Sequence, residues 1–115
     1  MTKDDIVLPL SDMQREYFFS GLAAALLTSR HAGYAKETDS YQNKAQNWIE
    51  SVMLFFADKP VTQERIKDAV DAVQVDGLNK LYLASAVQSA YDDARQRPTT
   101  HVEATLRRKA AIIEH

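Results

Sequence analysis

Apolar and charged residues alternate along this chain at the three- and four-residue spacing of amphipathic helices. One stretch departs from that pattern: Tyr17 to Leu27 reads YFFSGLAAALL, without a single charge. Wound as a helix it has two apolar faces. One is bulky (Phe18, Phe19, Leu22, Leu26) and the other mostly small (Met13, Tyr17, Ser20, Gly21, Ala24, Thr28). A helix apolar on both sides has to be covered on both sides, by its own domain or by another chain.

Three glycines and three prolines fall between the periodic segments. Ser11, with Gln14 three residues on, forms a capping box that starts a first helix over 12–30, ending near Gly33. A second helix over 41–57 carries a narrow stripe of Tyr41, Ala45, Trp48, Ile49, Val52, Phe55 and Phe56. Pro60 stops it, Thr62 is the next N-cap, and Val61 is placed to staple onto Ile66 of a short third helix over 63–74. Asp76-Gly77 is also a hairpin dipeptide, but Leu78, Leu81, Tyr82, Ser85 and Ser89 continue beyond it at helical spacing, which makes it a helix-breaking turn. The fourth helix, 78–96, has a second stripe of Leu83, Ala86, Val87, Ala90 and Ala94. Pro98 ends it. Thr100 and Glu103 cap a fifth helix over 101–113 with a stripe of Val102, Leu106, Ala110 and Ile113.

These patterns predict an all-α, single-domain bundle of about five helices: four main helices plus a C-terminal amphipathic one. Residues 1–10 form a loose N-terminus, and residues 99–115 a helix detachable from the rest. The first and fourth helices, with broad apolar arcs and small residues, should cross closely at the centre. The expected core sets Trp48, Ile49, Val52, Phe55 and Phe56 against Phe18, Leu22, Leu26, Val70 and Leu81.

Composition narrows the function classes. At 115 residues, 45% hydrophobic and 26% charged, the chain has the make-up of one globular domain. Its net charge of −2 gives no overall attraction to nucleic acid or anionic lipid. The absence of cysteine excludes disulfides and thiolate metal sites. The uncharged run at Tyr17 is too short for a bilayer, which needs about 20 residues. The early charges Lys3, Asp4 and Asp5 do not follow the order of a secretory signal, so a cytoplasmic location is expected. His31, His101 and His115 are too far apart to form a helical metal pair. No glycine-rich phosphate loop or serine-nucleophile motif occurs, so no cofactor and no catalytic residues are assigned.

Two alternatives carry some sequence support. Arg95, Arg97, Arg107, Arg108 and Lys109 make the C-terminal segment basic, and the third and fourth helices can be aligned as a helix-turn-helix of a small DNA-binding regulator. The would-be recognition helix, however, begins Leu-Asn-Lys-Leu-Tyr-Leu-Ala and offers one cation. The other alternative, an enzyme with an unrecognised site, has no motif behind it. The expected function is a non-enzymatic interaction module, such as an adaptor, small chaperone, inhibitor or immunity-type binder, or assembly subunit. Its partner is another protein or a second copy, reached through apolar helical surface. Candidate contact residues are Phe19, Met53, Leu54, Val102, Leu106, Ile112 and Ile113.

Overall fold

The computed structural model describes residues 8–28, 39–75 and 77–113, with side-chain surroundings for 8–27, 43–75 and 77–111. The described residues form five helices and no strand: α1 (Asp12–Thr28), α2 (Asp39–Phe55), α3 (Gln63–Asp71), α4 (Gly77–Arg95) and α5 (His101–Ile113). The predicted helix end near Gly33, and residues His31, Asp76 and His115, lie outside the described residues.

The capping box at Ser11 forms as the sequence implies. Ser11 N–H donates to Gln14 Oε1 at 3.0 Å, and Gln14 N–H donates to Ser11 Oγ at 3.2 Å. Helix α1 then packs most extensively on α4 and along α2, while α3 packs on α4. Helices α1 and α4 run antiparallel along a line of α1 residues one turn apart. Arg97 lies over the Tyr17 ring, a Cβ on Gly21 would sit 3.9 Å from that of Ala90, and Tyr82 donates its hydroxyl to the Ala25 carbonyl. The small side chains at Gly21 and Ala90 let the two backbones approach at the centre of the bundle.

The core collects Phe18, Leu22 and Leu26 of α1, Ala45, Trp48, Ile49 and Val52 of α2, and Phe56 just past its end. Ile66 and Val70 of α3, with Leu83, Val87 and Tyr91 of α4, complete it. Phe18 and Phe56 meet edge-on with ring centroids 5.8 Å apart. Val61 is fully buried and Ile66 nearly so, in keeping with the predicted staple.

Four sequence expectations change. Leu81 was placed in the core but is 67% exposed. Helix α4 has two apolar stripes, and the close crossing with α1 buries the one containing Leu83, Ala86, Val87 and Ala90, which leaves Leu81 outside. Phe55 is only half-buried; its ring abuts Phe56 edge-on and carries the Lys59 ammonium 4.8 Å above it. Thr62 sits at the N-cap of α3 but makes no side-chain capping bond, its hydroxyl accepting instead from Arg65 at 3.4 Å. Helix α3 stops at Asp71, because Val73 N–H turns to the Val70 carbonyl and tightens the chain, though Val73 itself stays buried. At the turn that follows, Gly77 opens α4 with φ +61, a conformation that costs a side-chain-bearing residue energy.

Candidate interaction surfaces

Helix α5 is built differently from the other four. Its start is well capped: Glu103 N–H donates to Thr100 Oγ1 at 3.1 Å, and Glu103 Oε1 accepts from Thr99 N–H at 2.8 Å and Thr99 Oγ at 2.6 Å. The box therefore closes on Thr99 rather than on Thr100. One turn on, Arg107 pairs with Glu103 at 2.6 Å and donates to the Gln96 carbonyl at 3.0 Å. Among the described residues, α5 has no extensive packing on the other four helices beyond this foot. Val102 is 70% exposed, Leu106 is 60% exposed, and Ala110 is exposed. An apolar stripe thus faces solvent along a defined helix.

The junction between α4 and α5 is braced rather than loose. The side-chain amide of Gln14, itself buried, donates to the Arg97 carbonyl at 2.9 Å and reaches the Arg95 carbonyl at 3.5 Å. The Arg95 carbonyl is one that a helix C-terminus leaves without an intrahelical donor, and Arg97 lies two residues past the end of α4. Arg97 adds a contact over the Tyr17 ring at 4.8 Å and an ion pair with Asp93 at 3.2 Å. Pro98-Thr99-Thr100, a natural hinge by composition, leaves from an anchored point.

A second apolar surface lies between α3 and α4. A groove of about 400 Å³ has Ile66, Val70, Leu81 and Ala84 along its floor and walls. At one end Gln63 and Gln88 exchange amide hydrogen bonds at 2.9 Å, and Gln88 also donates to Asp92 at 3.0 Å. At the other, Asp71 is held between Lys67 and Lys80, each at 2.9 Å. Hydrogen bonds from the two ammonium groups keep the Asp71 carboxyl below its ordinary range, and the bond to Asp71 raises Lys67. Glu103 falls furthest, to about 2, through the Thr99 hydroxyl, the Thr99 amide and then Arg107. All these groups are ion-pair partners at the surface, Lys80 and Glu103 half-buried. Among the described residues no group of three side chains converges on a point where a metal could be held.

The candidate contact residues divide into three sets. Val102 and Leu106 share the open face of α5, whereas the side chains of Ile112 and Ile113 lie outside those described. Leu54 (76%) and Met53 (43%) are exposed side by side on α2. Phe19 is half-buried against Phe18 and roofed by the Arg15 guanidinium at 5.4 Å. That guanidinium is fixed by the Phe56 and Lys59 carbonyls at 2.9 and 3.0 Å, so one side of the Phe19 ring is shielded. Sequence reasoning did not single out the groove. The signal in the sequence was the first apolar stripe of α4, with Leu78 and Leu81, both of which the structure leaves exposed.

No family model matches the chain, and no curated protein or solved structure gives a match.

Proposed function

We propose that this protein is a non-enzymatic protein-binding module that works through α5. The observation that carries the reading is the solvent-facing stripe of Val102 and Leu106 on a capped helix that, among the described residues, packs little on the other four. Isolated helices shorter than about 12–15 residues are marginal in water. Helix α5, at 13 residues, has little packing on the other described helices, so docking onto a partner would add to its stability. Such a helix laid into an apolar groove is a recurring mode of protein recognition.

The DNA-regulator reading has less behind it. Of the five cations in the basic segment, Arg95 lies on Tyr91, Arg97 on Tyr17 and Asp93, and Arg107 on Glu103 and Gln96. The first turns of α4 present exposed Leu78 and Leu81, and Lys80 is paired with Asp71. These groups suit a protein surface better than a phosphate backbone. No helix among the described residues is long and apolar enough to cross a membrane. We read the compartment as cytoplasmic from composition alone.

The test is affinity capture from the source cell with the full chain and with Leu106→Asp. Proteins retained by the full chain should be lost from the variant at unchanged helix content. Equal capture by both would remove α5 from the binding role.

A further inference from the structure

We propose that Gln14 is a positioning residue for α5: from inside the α1–α4 contact it fixes the direction in which that helix leaves the bundle. This role rests on the reading of α5 as the docking helix and supplies what holds it in place.

Three successive peptide groups carry the chain from α4 toward α5, and each has its own anchor. The Gln96–Arg97 group donates its N–H to the Ala94 carbonyl at 3.0 Å, and its carbonyl accepts from Arg107 at 3.0 Å. The Pro98–Thr99 group donates its N–H to Glu103 Oε1 at 2.8 Å. The Arg97–Pro98 group lies between them, and proline leaves it no N–H. Its carbonyl is therefore its one hydrogen-bonding handle, and Gln14 Nε2 holds that handle at 2.9 Å. A peptide group is planar and Pro98 restricts its own φ, so fixing this plane fixes the start of the path toward Thr99.

The anchors differ in their setting. Arg107 and Glu103 belong to α5 itself and lie at the surface, where water competes for their bonds. They tie α5 to the linker without reaching α1. Gln14 comes from another helix and is buried. Its amide has one workable orientation, with Oε1 accepting from Ser11 N–H and Nε2 donating to the Arg97 carbonyl. Reversing it would set donor against donor and acceptor against acceptor. One turn along α1, Tyr17 repeats the tie by lying under the Arg97 guanidinium at 4.8 Å. A docking helix held in one direction before it meets its partner loses less freedom on binding. Buried as it is, Gln14 acts on that step without touching the partner.

The experiment measures the direction of α5 in the full chain. The sequence has no cysteine, so Ser89→Cys on α4 and Lys109→Cys on α5, both exposed, can carry nitroxide labels for a dipolar distance measurement. One narrow distribution is expected with Gln14 in place. Gln14→Glu keeps the acceptor for Ser11 and loses the donor to Arg97, whereas Gln14→Met loses both and keeps the volume. Each should broaden or shift the Ser89–Lys109 distribution at unchanged helix content. Labels at Ala57→Cys and Ser89→Cys, both within the bundle, should keep their separation. Ser11→Ala, which spares the bond to Arg97, should alter neither distribution. A Ser89–Lys109 distribution already broad in the parent, or unaltered by both Gln14 variants, would overturn the proposal. An Ala57–Ser89 separation that moves with it would do the same, because Gln14 would then hold the bundle together rather than direct α5. Affinity capture separates this role from the docking reading: if the Gln14 variants redirect α5 while Leu106→Asp still captures the partner, Gln14 positions a helix that does not dock.

Discussion

Gln14 is the residue through which the start of α1 and the end of α4 hold each other, and Gln14→Met isolates that role. Methionine keeps the length and volume of the side chain, so the buried site is not emptied, but it supplies neither amide atom. Two good hydrogen bonds are lost: Ser11 N–H to Oε1 at 3.0 Å, and Nε2 to the Arg97 carbonyl at 2.9 Å. The longer reach to Arg95, at 3.5 Å, adds little. Each loss costs about 1 kcal/mol net, with more for a partner left without water, so we expect about 2 kcal/mol. With about 2.1 cal/mol/K of unfolding entropy per residue, that lowers the Tm of a chain this size by roughly 8 °C. Ser11→Ala, which removes only the local half of the box, should cost about 1 kcal/mol. Urea unfolding of the two variants and the parent chain measures the difference. If Gln14→Met costs no more than Ser11→Ala, the link from α1 to Arg97 contributes nothing to stability.

Trp48→Ala should cost about 3–5 kcal/mol in urea unfolding, as a buried aromatic core residue, whereas Leu81→Ala should cost under about 0.5 kcal/mol; similar costs would mean the two α4 stripes are wrongly assigned. A chain ending at Thr99 keeps Arg97 as an amide and should melt within about 4 °C of the full chain, while losing partner binding; a collapse of the melt would make α5 part of the core. Glu103 titrates near 2 when folded against 4.5 ordinarily, so its contribution to the foot of α5 is complete above about pH 4.5 and lost as pH falls toward 2. Amide exchange in the first turn of α5 should accelerate across that interval and lose the dependence in Glu103→Gln; protection that is flat from pH 5 to 2 would refute it.

The helices were legible because each strong stripe coincides with a boundary signal, as with Ser11 and Gln14 before α1 or Pro60 after α2. Where two stripes share one helix the pattern falls silent. Leu81 and Leu83 are equally apolar, and the packing of α4 on α1, where Gly21 faces Ala90, sets which side of α4 faces inward. The exposed stripe of α5 was readable as weak, with one alanine among four residues. Its support was not, since Gln14 reads locally as a capping residue while its amide nitrogen acts across more than eighty residues of sequence. The groove arises from a pairing of helices, with one wall from α3 and the other from α4, and no single helical stripe encodes such a surface.

The bracing of the α4–α5 junction has a mechanical consequence. Thirteen residues make α5 an arm about 20 Å long, clamped at one end, so a tilt of about 10° at the clamp sweeps the free end through 3–4 Å, about the width of one side-chain contact. Angular error at Gln14, Tyr17 or Arg97 is therefore magnified with distance, from negligible at Val102 to a full misregistration at the tip. Substitutions deep between α1 and α4 can spoil the aim of a surface they never touch, and a screen for lost association would recover them alongside the contact residues.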